Sequence, residues 1–424
     1  MKSLLLSLLV ISSLNAFAAT EPPHIGPVGG EEFGRLEIER VEKLIEARIE
    51  NAQDKGADST EDQQIAMLLA VGKKASKWIE VVNETRLPGS KLDLSSGTPS
   101  GGGGGIPMDK PQKSSTALIM KMYQDFLANN STLITDVVTS SMPLPANAPV
   151  SDKEFTTALR RLDNIYSSTI RWASRREYIP WFTNKAIYDV RGFVFLKNTP
   201  ELEQVLNSYS AMSDADKAQY SAWLLGVCKN GDFGTSACIE ELKKYTASNK
   251  LFTFYTRFSK YGQSMYDLFF TLKKTRPEMK WNADRTVLNS PFLTPENSAV
   301  QKWLKENIED EWRGMGFNLN IDYKKNMSAI PRVQFKEGVT ANVNELGGDL
   351  ITLSAEYPIE TVSQKYTIRH EYGHVLGFQD CYLEFYDTSE KVIVYYEVDV
   401  NNIMCSRNGR LKPTHIEQLQ KSYK

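Results

Sequence analysis

The sequence is poor in the features that mark several specialised classes of protein. Its 424 residues include only four histidines and four cysteines, and 50 lysines and arginines nearly balance 52 aspartates and glutamates. A balanced charge gives no long-range attraction to nucleic acid or to an anionic membrane surface, so we expect neither as a partner. No two cysteines have the C-x-x-C spacing of a cysteine metal site. The length predicts more than one domain.

Long apolar runs are also missing, except for a short one at the N-terminus. Met1 to Ala18 has the pattern of a secretory signal peptide, because Lys2 precedes the apolar run Leu4 to Leu14 and a small-x-small cleavage site follows. The run is shorter than the ~20 residues that span a bilayer, which argues against an uncleaved anchor. We therefore expect an exported protein, secreted or periplasmic, with no membrane span.

The four cysteines are expected to form disulfides, because an exported protein meets an oxidising compartment. Cys228 and Cys238 bracket a flexible loop that a local bridge would close, which leaves Cys381 and Cys405 as the second pair. Four cysteines allow three pairings, so the local pairing is a preference among open alternatives.

Composition divides the chain into four parts after the signal peptide. Residues 19–86 carry two helical patterns, and residues 87–113 are a Gly/Pro/Ser-rich linker that contains Gly101 to Gly105. Residues 114–280 are again helical in pattern and rich in aromatics, and residues 281–424 mix strand and helix patterns. The expected fold is multidomain, with largely α-helical N-terminal and middle regions followed by an α+β domain.

A group of arginines, Arg171, Arg175 and Arg176, lies among the aromatics of the middle region. Such a group can bind nucleic acid or an acidic glycan, but Asp163 and Glu177 nearby reduce its local positive field. The pattern favours a solvated helix face.

The last 140 residues read as a mixed twisted sheet followed by a helix. Alternation of apolar and polar residues predicts strands, and the 3.6-residue spacing predicts helices. The expected elements are a helix over Glu296 to Trp312, strands at Phe317 to Tyr323, Val333 to Phe335, Val339 to Asn344 and Leu350 to Leu353, and a helix over Val362 to Leu376 that stops at Gly377.

The final helix carries the chemistry, in the string His370-Glu371-Tyr372-Gly373-His374. Histidines four residues apart on a helix stack on one face, so both imidazoles can bind one Zn²⁺. Glu371 points about 100° round the helix from His370, where it can take a proton from water without being a ligand. Gly377 can adopt positive φ and turn the chain back, so that Asp380 approaches the same ion.

The string His-Glu-x-x-His-x-x-Gly-x-x-Asp resembles the zinc motif of the metzincin metallopeptidases, in the snapalysin-like variant with aspartate as third ligand. Asn402 to Cys405 resembles the family's Met-turn, in which Met404 would lie beneath the zinc site. The resemblance implies His370, His374 and Asp380 as ligands and Glu371 as general base. It covers residues 281–424 and leaves the helical region unexplained.

Further expectations follow from this resemblance. A bridge between Cys381 and Cys405 would tie the ligand turn to the Met-turn. Tyr382 or Tyr386 is the candidate for stabilising the oxyanion. A protein or peptide substrate would lie extended along an edge strand, for which Val339 to Asn344 is the candidate.

Several alternatives remain open. Glu384, Glu390 or Glu397 can replace Asp380 as third ligand if a second helix follows, but the β-branched and aromatic residues at Val392 to Val400 favour a strand there.

The helical region can be a removable pro-segment, a binding domain or a scaffold. Asp232 is a candidate latency residue, but a turn residue is the favoured interpretation. His24 and His415 are incidental. The function expected is a secreted zinc-dependent endopeptidase, and the alternative is a secreted helical interaction protein with a degenerate, non-catalytic metallopeptidase domain.

Overall fold

The computed structural model describes residues 35–55, 59–92, 105–325, 327–337, 339, 341–355, 358–406 and 409–424. The predicted signal peptide, His24 and the linker between residues 93 and 104 lie outside the described residues. The helices are α1 (Arg35–Lys55), α2 (Thr60–Glu84), α3 (Thr116–Ala128), α4 (Thr132–Thr139), α5 (Asp152–Arg175), α6 (Ile179–Lys185), α7 (Arg191–Lys197), α8 (Leu202–Asn207), α9 (Asp214–Lys229), α10 (Thr235–Ala247), α11 (Leu251–Leu268), α12 (Ser298–Glu311), α13 (Val362–Val375) and α14 (Pro413–Ser422). The strands are β1 (Gln112–Ser114), β2 (Lys280–Trp281), β3 (Val287–Leu293), β4 (Arg313–Gly314), β5 (Phe317–Lys324), β6 (Arg332–Lys336), β7 (Asn342–Val343), β8 (Leu350–Ser354), β9 (Tyr382–Asp387) and β10 (Val392–Glu397).

The N-terminal and middle regions are largely helical, as predicted. Side-chain caps begin several of these helices: the Ser151 hydroxyl accepts the Glu154 amide at the start of α5, and the Ser213 hydroxyl accepts the Asp216 amide at the start of α9. Among the described residues, no helix is long and apolar enough to cross a membrane.

Three hydrophobic clusters hold these elements together. The first joins α1 and α2 to α3, α4, α5 and α6, and also contains Ile393 of β10. The second holds α7 to α11, and the third buries the C-terminal helices and strands with Val190, Phe269 and Leu272 from upstream. The predicted domain limits stay predictions, but apolar packing joins residues 35–84 to the middle region across the linker.

The C-terminal region contains three small sheets. The first has the strand order β2-β3-β5-β4, with β3 parallel to β5 and α12 between them in sequence. The second has the order β6-β8-β7, where β6 is parallel and β7 antiparallel to β8. The Leu293 amide donates to the Pro331 carbonyl at 2.8 Å and links the two. The third, β1-β10-β9, is antiparallel throughout. The single mixed sheet of the prediction is therefore divided, and the strand expected over Val339 to Asn344 is only Asn342–Val343.

Helix α13 is fixed by its buried face. Ile368, Tyr372 and Val375 are fully buried in the C-terminal cluster. The Tyr372 hydroxyl donates to the Ser290 hydroxyl of β3 at 2.5 Å, and the Trp312 indole N–H donates to the Arg369 carbonyl at 3.0 Å. These contacts set the rotation of α13 about its axis and so decide where its other side chains point.

Candidate metal centre

His370 and His374 lie one turn apart on α13 and converge on Asp380. The two imidazole centroids are 4.8 Å apart. Asp380 Oδ1 lies 3.1 Å from His370 Nε2 and 3.3 Å from His374 Nε2. Among the described residues, these three form the one group of His, Cys, Asp and Glu side chains whose ligand atoms all lie within 4.8 Å of one another. The structure therefore brings together the three predicted ligands in a group that can hold a metal ion.

Gly377 makes this convergence possible. It follows α13 with φ +95°, and its amide donates to the His374 carbonyl while the Phe378 amide donates to the Gly373 carbonyl. This pair of bonds is a Schellman cap, which ends the helix and reverses the chain. A Cβ at Gly377 would lie 1.7 Å from the Lys274 carbonyl oxygen, so no other residue fits. Asp380 then comes back to the histidines instead of continuing along the helix axis.

The imidazoles are oriented by backbone carbonyls. His370 Nδ1 lies 2.8 Å from the Ile403 carbonyl oxygen, and His374 Nδ1 lies 2.8 Å from the Phe378 carbonyl oxygen. A carbonyl can only accept, so each Nδ1 carries a proton and each Nε2 faces Asp380, where it can bind a metal when it is unprotonated. This is the tautomer that a metal-binding histidine needs.

The donor set fits a metal cation. The two Nε2 atoms and the Asp380 carboxylate face one another, and Asp380 Oδ1 is buried without a hydrogen-bond donor when both Nε2 atoms are unprotonated. A proton on a histidine or a bound cation must therefore offset the buried carboxylate charge. Burial disfavours a charged His374, but the Asp380 carboxylate outweighs it and raises the pKa of His374 to about 9. The pKa of Asp380 is held well below its usual value, since the histidines outweigh the effect of burial.

Glu371 lies beside this group without joining it. The residue is 6% exposed, and its Oε2 is buried with no hydrogen-bond partner. An ionised carboxylate is costly to bury without a donor. Its free oxygen is thus available to a proton donor such as a water molecule at the centre.

Met404 packs beneath the helix that carries the histidines. Met404 is 1% exposed, and a Cβ on Gly373 would lie 2.2 Å from its sulfur atom. The glycine therefore allows the Met404 side chain to approach the backbone of α13. The Asn402 side-chain oxygen accepts the Met404 amide at 2.8 Å and forms the turn. Met404 therefore contacts α13 between the two histidines, and its assignment to a Met-turn stays a prediction.

Both predicted disulfides are present. Cys381 is bonded to Cys405, 24 residues away, and Cys228 is bonded to Cys238. The Cys381 amide also donates to the Met404 carbonyl at 2.9 Å. The first bridge therefore ties the residue after Asp380 to the turn whose Ile403 carbonyl orients His370.

The two candidate tyrosines separate in the structure. The Tyr382 hydroxyl donates to Asp380 Oδ2 at 2.9 Å. Burial, and then the charge of Asp380, raises the pKa of Tyr382 well above its usual value, so the hydroxyl keeps its proton at neutral pH. Tyr386 packs against the cluster formed by α1 to α6 instead. Only Tyr382 is placed at the centre.

The alternative third ligands are engaged elsewhere. Glu384 pairs with Arg171 and Arg175, and Glu390 pairs with Lys113. Glu397 lies in β10, a strand as the sequence suggested, and its carboxylate is hydrogen-bonded to the Ser406 side chain while its Oε2 is buried without a partner. Burial raises the pKa of Glu397 to about 7.

The prediction of a solvated arginine face was wrong. Arg171 is 1% exposed and Arg175 3%, and both guanidinium groups bind the Glu384 carboxylate. The Arg176 side chain is 7% exposed and pairs with Asp62 of α2. Neighbouring charges alone suggested a solvated face, whereas Glu384 is 213 residues from Arg171. The available signal was the placement of two arginines four residues apart in the otherwise uncharged stretch of residues 164–175.

Two remaining candidates lie apart from the centre. Asp232 adopts φ 58° between α9 and α10, which agrees with the favoured turn interpretation. His415 is buried near the start of α14, where its Nδ1 accepts the Lys412 amide at 2.9 Å, and burial lowers its pKa to about 4. It caps the helix and packs edge-on against Trp312.

Comparison of the chain with family models, curated proteins and solved structures gave no match.

Proposed function

We propose that the protein is an exported zinc-dependent endopeptidase. The observation that carries the proposal is the convergence of two Nε2 atoms and one carboxylate oxygen, with Glu371 nearby, whose Oε2 is buried without a hydrogen-bond partner. Three protein ligands of the types His, His and Asp suit a catalytic zinc, which keeps a further position open. When bound, zinc would supply Lewis-acid polarisation of a carbonyl and would lower the pKa of a water molecule.

Glu371 is the general base in this proposal. Its Oε2 has no competing donor, so it can accept a proton from water and deliver it to the leaving amine. Glu371 follows the ligand His370 directly and projects from the same buried helix. Its carboxylate is therefore held by α13 itself and not by a mobile loop.

Tyr382 is the candidate for stabilising the oxyanion of the transition state. Its hydroxyl lies at the centre and keeps its proton, because its pKa is raised. In this structure the proton is donated to Asp380, so the hydroxyl has to turn from Asp380 towards the substrate to act on the oxyanion. A hydrogen-bond donor at an oxyanion typically contributes a factor of about 10²–10³ to kcat. The neighbouring β7 is the edge strand of the sheet beside α13 and offers a place for an extended peptide.

Export is supported by the two disulfides, since such bonds persist in oxidising compartments. The predicted signal peptide agrees with this interpretation. We infer that the protein acts outside the cytoplasm on protein or peptide substrates.

The test is zinc analysis of the purified protein beside cleavage of casein by three forms. Wild type and Glu371→Gln should each bind one zinc, and only wild type should cleave. Asp380→Ala should lose both zinc and cleavage. Stoichiometric zinc without cleavage by wild type would refute the peptidase proposal and favour the interaction protein.

A further inference from the structure

A cluster of buried charges joins helix α5 to the hairpin formed by β9 and β10. Glu384 Oε1 accepts from Arg171 Nη1 at 2.5 Å, and Glu384 Oε2 accepts from Arg175 Nε at 2.8 Å. The Glu384 side chain is 12% exposed and the arginines less. Burial acts to raise the pKa of Glu384, but the two guanidinium groups lower it below its usual value, so the carboxylate is ionised. A buried pair of this kind is sensitive to the loss of either partner.

The cluster continues to the third metal ligand through two aromatic rings. The Arg171 guanidinium lies over the Tyr395 ring at 4.2 Å, and the Tyr395 and Tyr382 ring centroids are 5.8 Å apart. Tyr382 then donates to Asp380. Register explains the arrangement: Tyr395 is the cross-strand partner of Glu384, and Tyr382 lies two residues before Glu384, so all three share one face of the hairpin.

The same hairpin is held by other residues from before residue 281. Strand β1 pairs with β10 and supplies the third strand, and the Gln112 side-chain Nε2 donates to the Ser168 hydroxyl of α5 at 3.1 Å. On the opposite face, the Tyr396 hydroxyl donates to Asp189 Oδ1 at 3.0 Å and accepts the Val190 amide. A two-stranded hairpin is marginally stable alone, so these contacts decide whether the hairpin keeps its position.

We propose that Arg171 and Arg175 are positioning residues of the metal centre, acting through Glu384 and the tyrosine pair to hold Asp380 against the two histidines. The region from residue 105 to about residue 191 is then a permanent part of the centre and not a pro-segment removed before function. The inference deepens the proposed function by assigning a role to the helical region, and it rests on that function for the identity of the metal.

The test compares arginine variants of the full-length protein by their zinc affinity. Arg171→Met and Arg175→Met each remove one of the two guanidinium groups that donate to the Glu384 carboxylate. Arg176→Met is the matched control, because Arg176 directly follows the same helix and its side chain, 7% exposed, pairs with Asp62 of α2 and not with Glu384. Zinc Kd is measured by competition with a chromophoric chelator, and the visible spectrum of the Co²⁺-loaded protein reports on ligand geometry.

Arg171→Met and Arg175→Met should raise the zinc Kd by about 10- to 100-fold and change the Co²⁺ spectrum, as outer-shell changes do. Arg176→Met should change neither the zinc Kd nor the Co²⁺ spectrum, even if it lowers the melting temperature as much as the other two variants do. Arg175→Lys should recover part of the affinity. Where a methionine variant fails to fold, Glu384→Gln replaces it in the comparison. Unchanged Kd and spectrum in the folded variants, or an equal change in all three, would overturn the inference.

A second measurement addresses the pro-segment directly. Intact mass and N-terminal analysis of the zinc-loaded protein recovered from culture medium should show that residues 105–424 are retained. A zinc-loaded species that lacks residues 105–280 would overturn the inference. Because neither measurement requires peptide cleavage, the inference and the proposed peptidase function can fail separately.

Discussion

The two disulfides allow a matched test of whether one of them supports the metal centre. All four cysteines are at most 1% exposed, so replacing either pair by alanines removes similar buried volume. Only Cys381 and Cys405 adjoin the centre, where they connect the residue after Asp380 to the turn that orients His370. The double variants Cys381→Ala/Cys405→Ala and Cys228→Ala/Cys238→Ala therefore differ mainly in what their bridges hold.

The expected losses of stability are close. In the chain-entropy model, the bridge with a sequence separation of 24 residues contributes about 3.4 kcal/mol. The bridge with a separation of 10 residues contributes about 2.7 kcal/mol. A general effect of stability on metal binding would thus appear in both variants. A local effect would appear only when Cys381 and Cys405 are replaced.

Denaturant unfolding and zinc competition are measured on both variants and on wild type. We expect both to lose stability by similar amounts. The zinc Kd should rise about tenfold or more only for Cys381→Ala/Cys405→Ala, since the ligand turn and the Met404 turn become free to separate. An equal zinc Kd for the two variants would show that the bridge does not position the centre.

Three further predictions follow from individual residues. Gly377→Ala should destabilise the protein by at least about 2 kcal/mol in denaturant unfolding and weaken zinc binding, because its φ is +95° and its Cβ meets the Lys274 carbonyl; unchanged unfolding would contradict the cap geometry. Tyr382→Phe should weaken zinc binding, because the bond to Asp380 is lost, and at saturating zinc it should lower kcat about 10²-fold with little change in KM; an unaltered kcat at saturating zinc would remove the hydroxyl from the transition state. Asp380 raises the pKa of His374 to about 9 in the absence of metal, so protonated His374 stabilises the folded metal-free protein. This stabilisation should be lost as pH rises from about 6.5 to 9, whereas the zinc-loaded protein should not lose it. Melting curves of both forms across that pH range check the prediction.

Acid should act on the metal-free protein through Asp380. Its pKa lies well below the usual value in the folded state, so its stabilisation is present above about pH 4 and is lost as pH falls through its folded pKa. In the metal-free protein, the stability that the centre contributes is therefore greatest between the pH at which Asp380 gains a proton and the pH at which His374 loses one.

Much of the centre could be predicted because its parts are local in sequence. Helical geometry alone places His370 and His374 on one face, and the positive φ that Gly377 tolerates returns the chain to Asp380. Helix α12 begins close to the predicted position for the same reason, since caps and spacing are short-range properties. The edge strand was predicted too long, because strand extent depends on a partner and β7 pairs with β8 over two residues only.

The burial of the arginines could not be predicted, because it depends on packing. The charges near Arg171 in the sequence predicted a solvated surface. The carboxylate that pairs with Arg171 belongs to Glu384, which lies in a hairpin more than 200 residues later in the chain. The role of the Ile403 carbonyl in orienting His370 could not be predicted either. Every residue has a carbonyl, and only the folded structure shows which one lies within hydrogen-bond distance of His370.

The sequence by itself determined the types and spacing of the side chains that can hold a metal ion and the helical character of the first two thirds of the chain, and it favoured one pairing of the four cysteines. The first two follow from backbone geometry within a few turns, and the favoured pairing follows from the short loop between Cys228 and Cys238. The tertiary structure alone decided that Arg171 and Arg175 are buried against Glu384, that β1 completes the hairpin sheet and that Tyr382 rather than Tyr386 reaches the centre. Contacts between distant segments form only where buried charges and apolar faces find partners in the folded chain, and no local pattern encodes those partners.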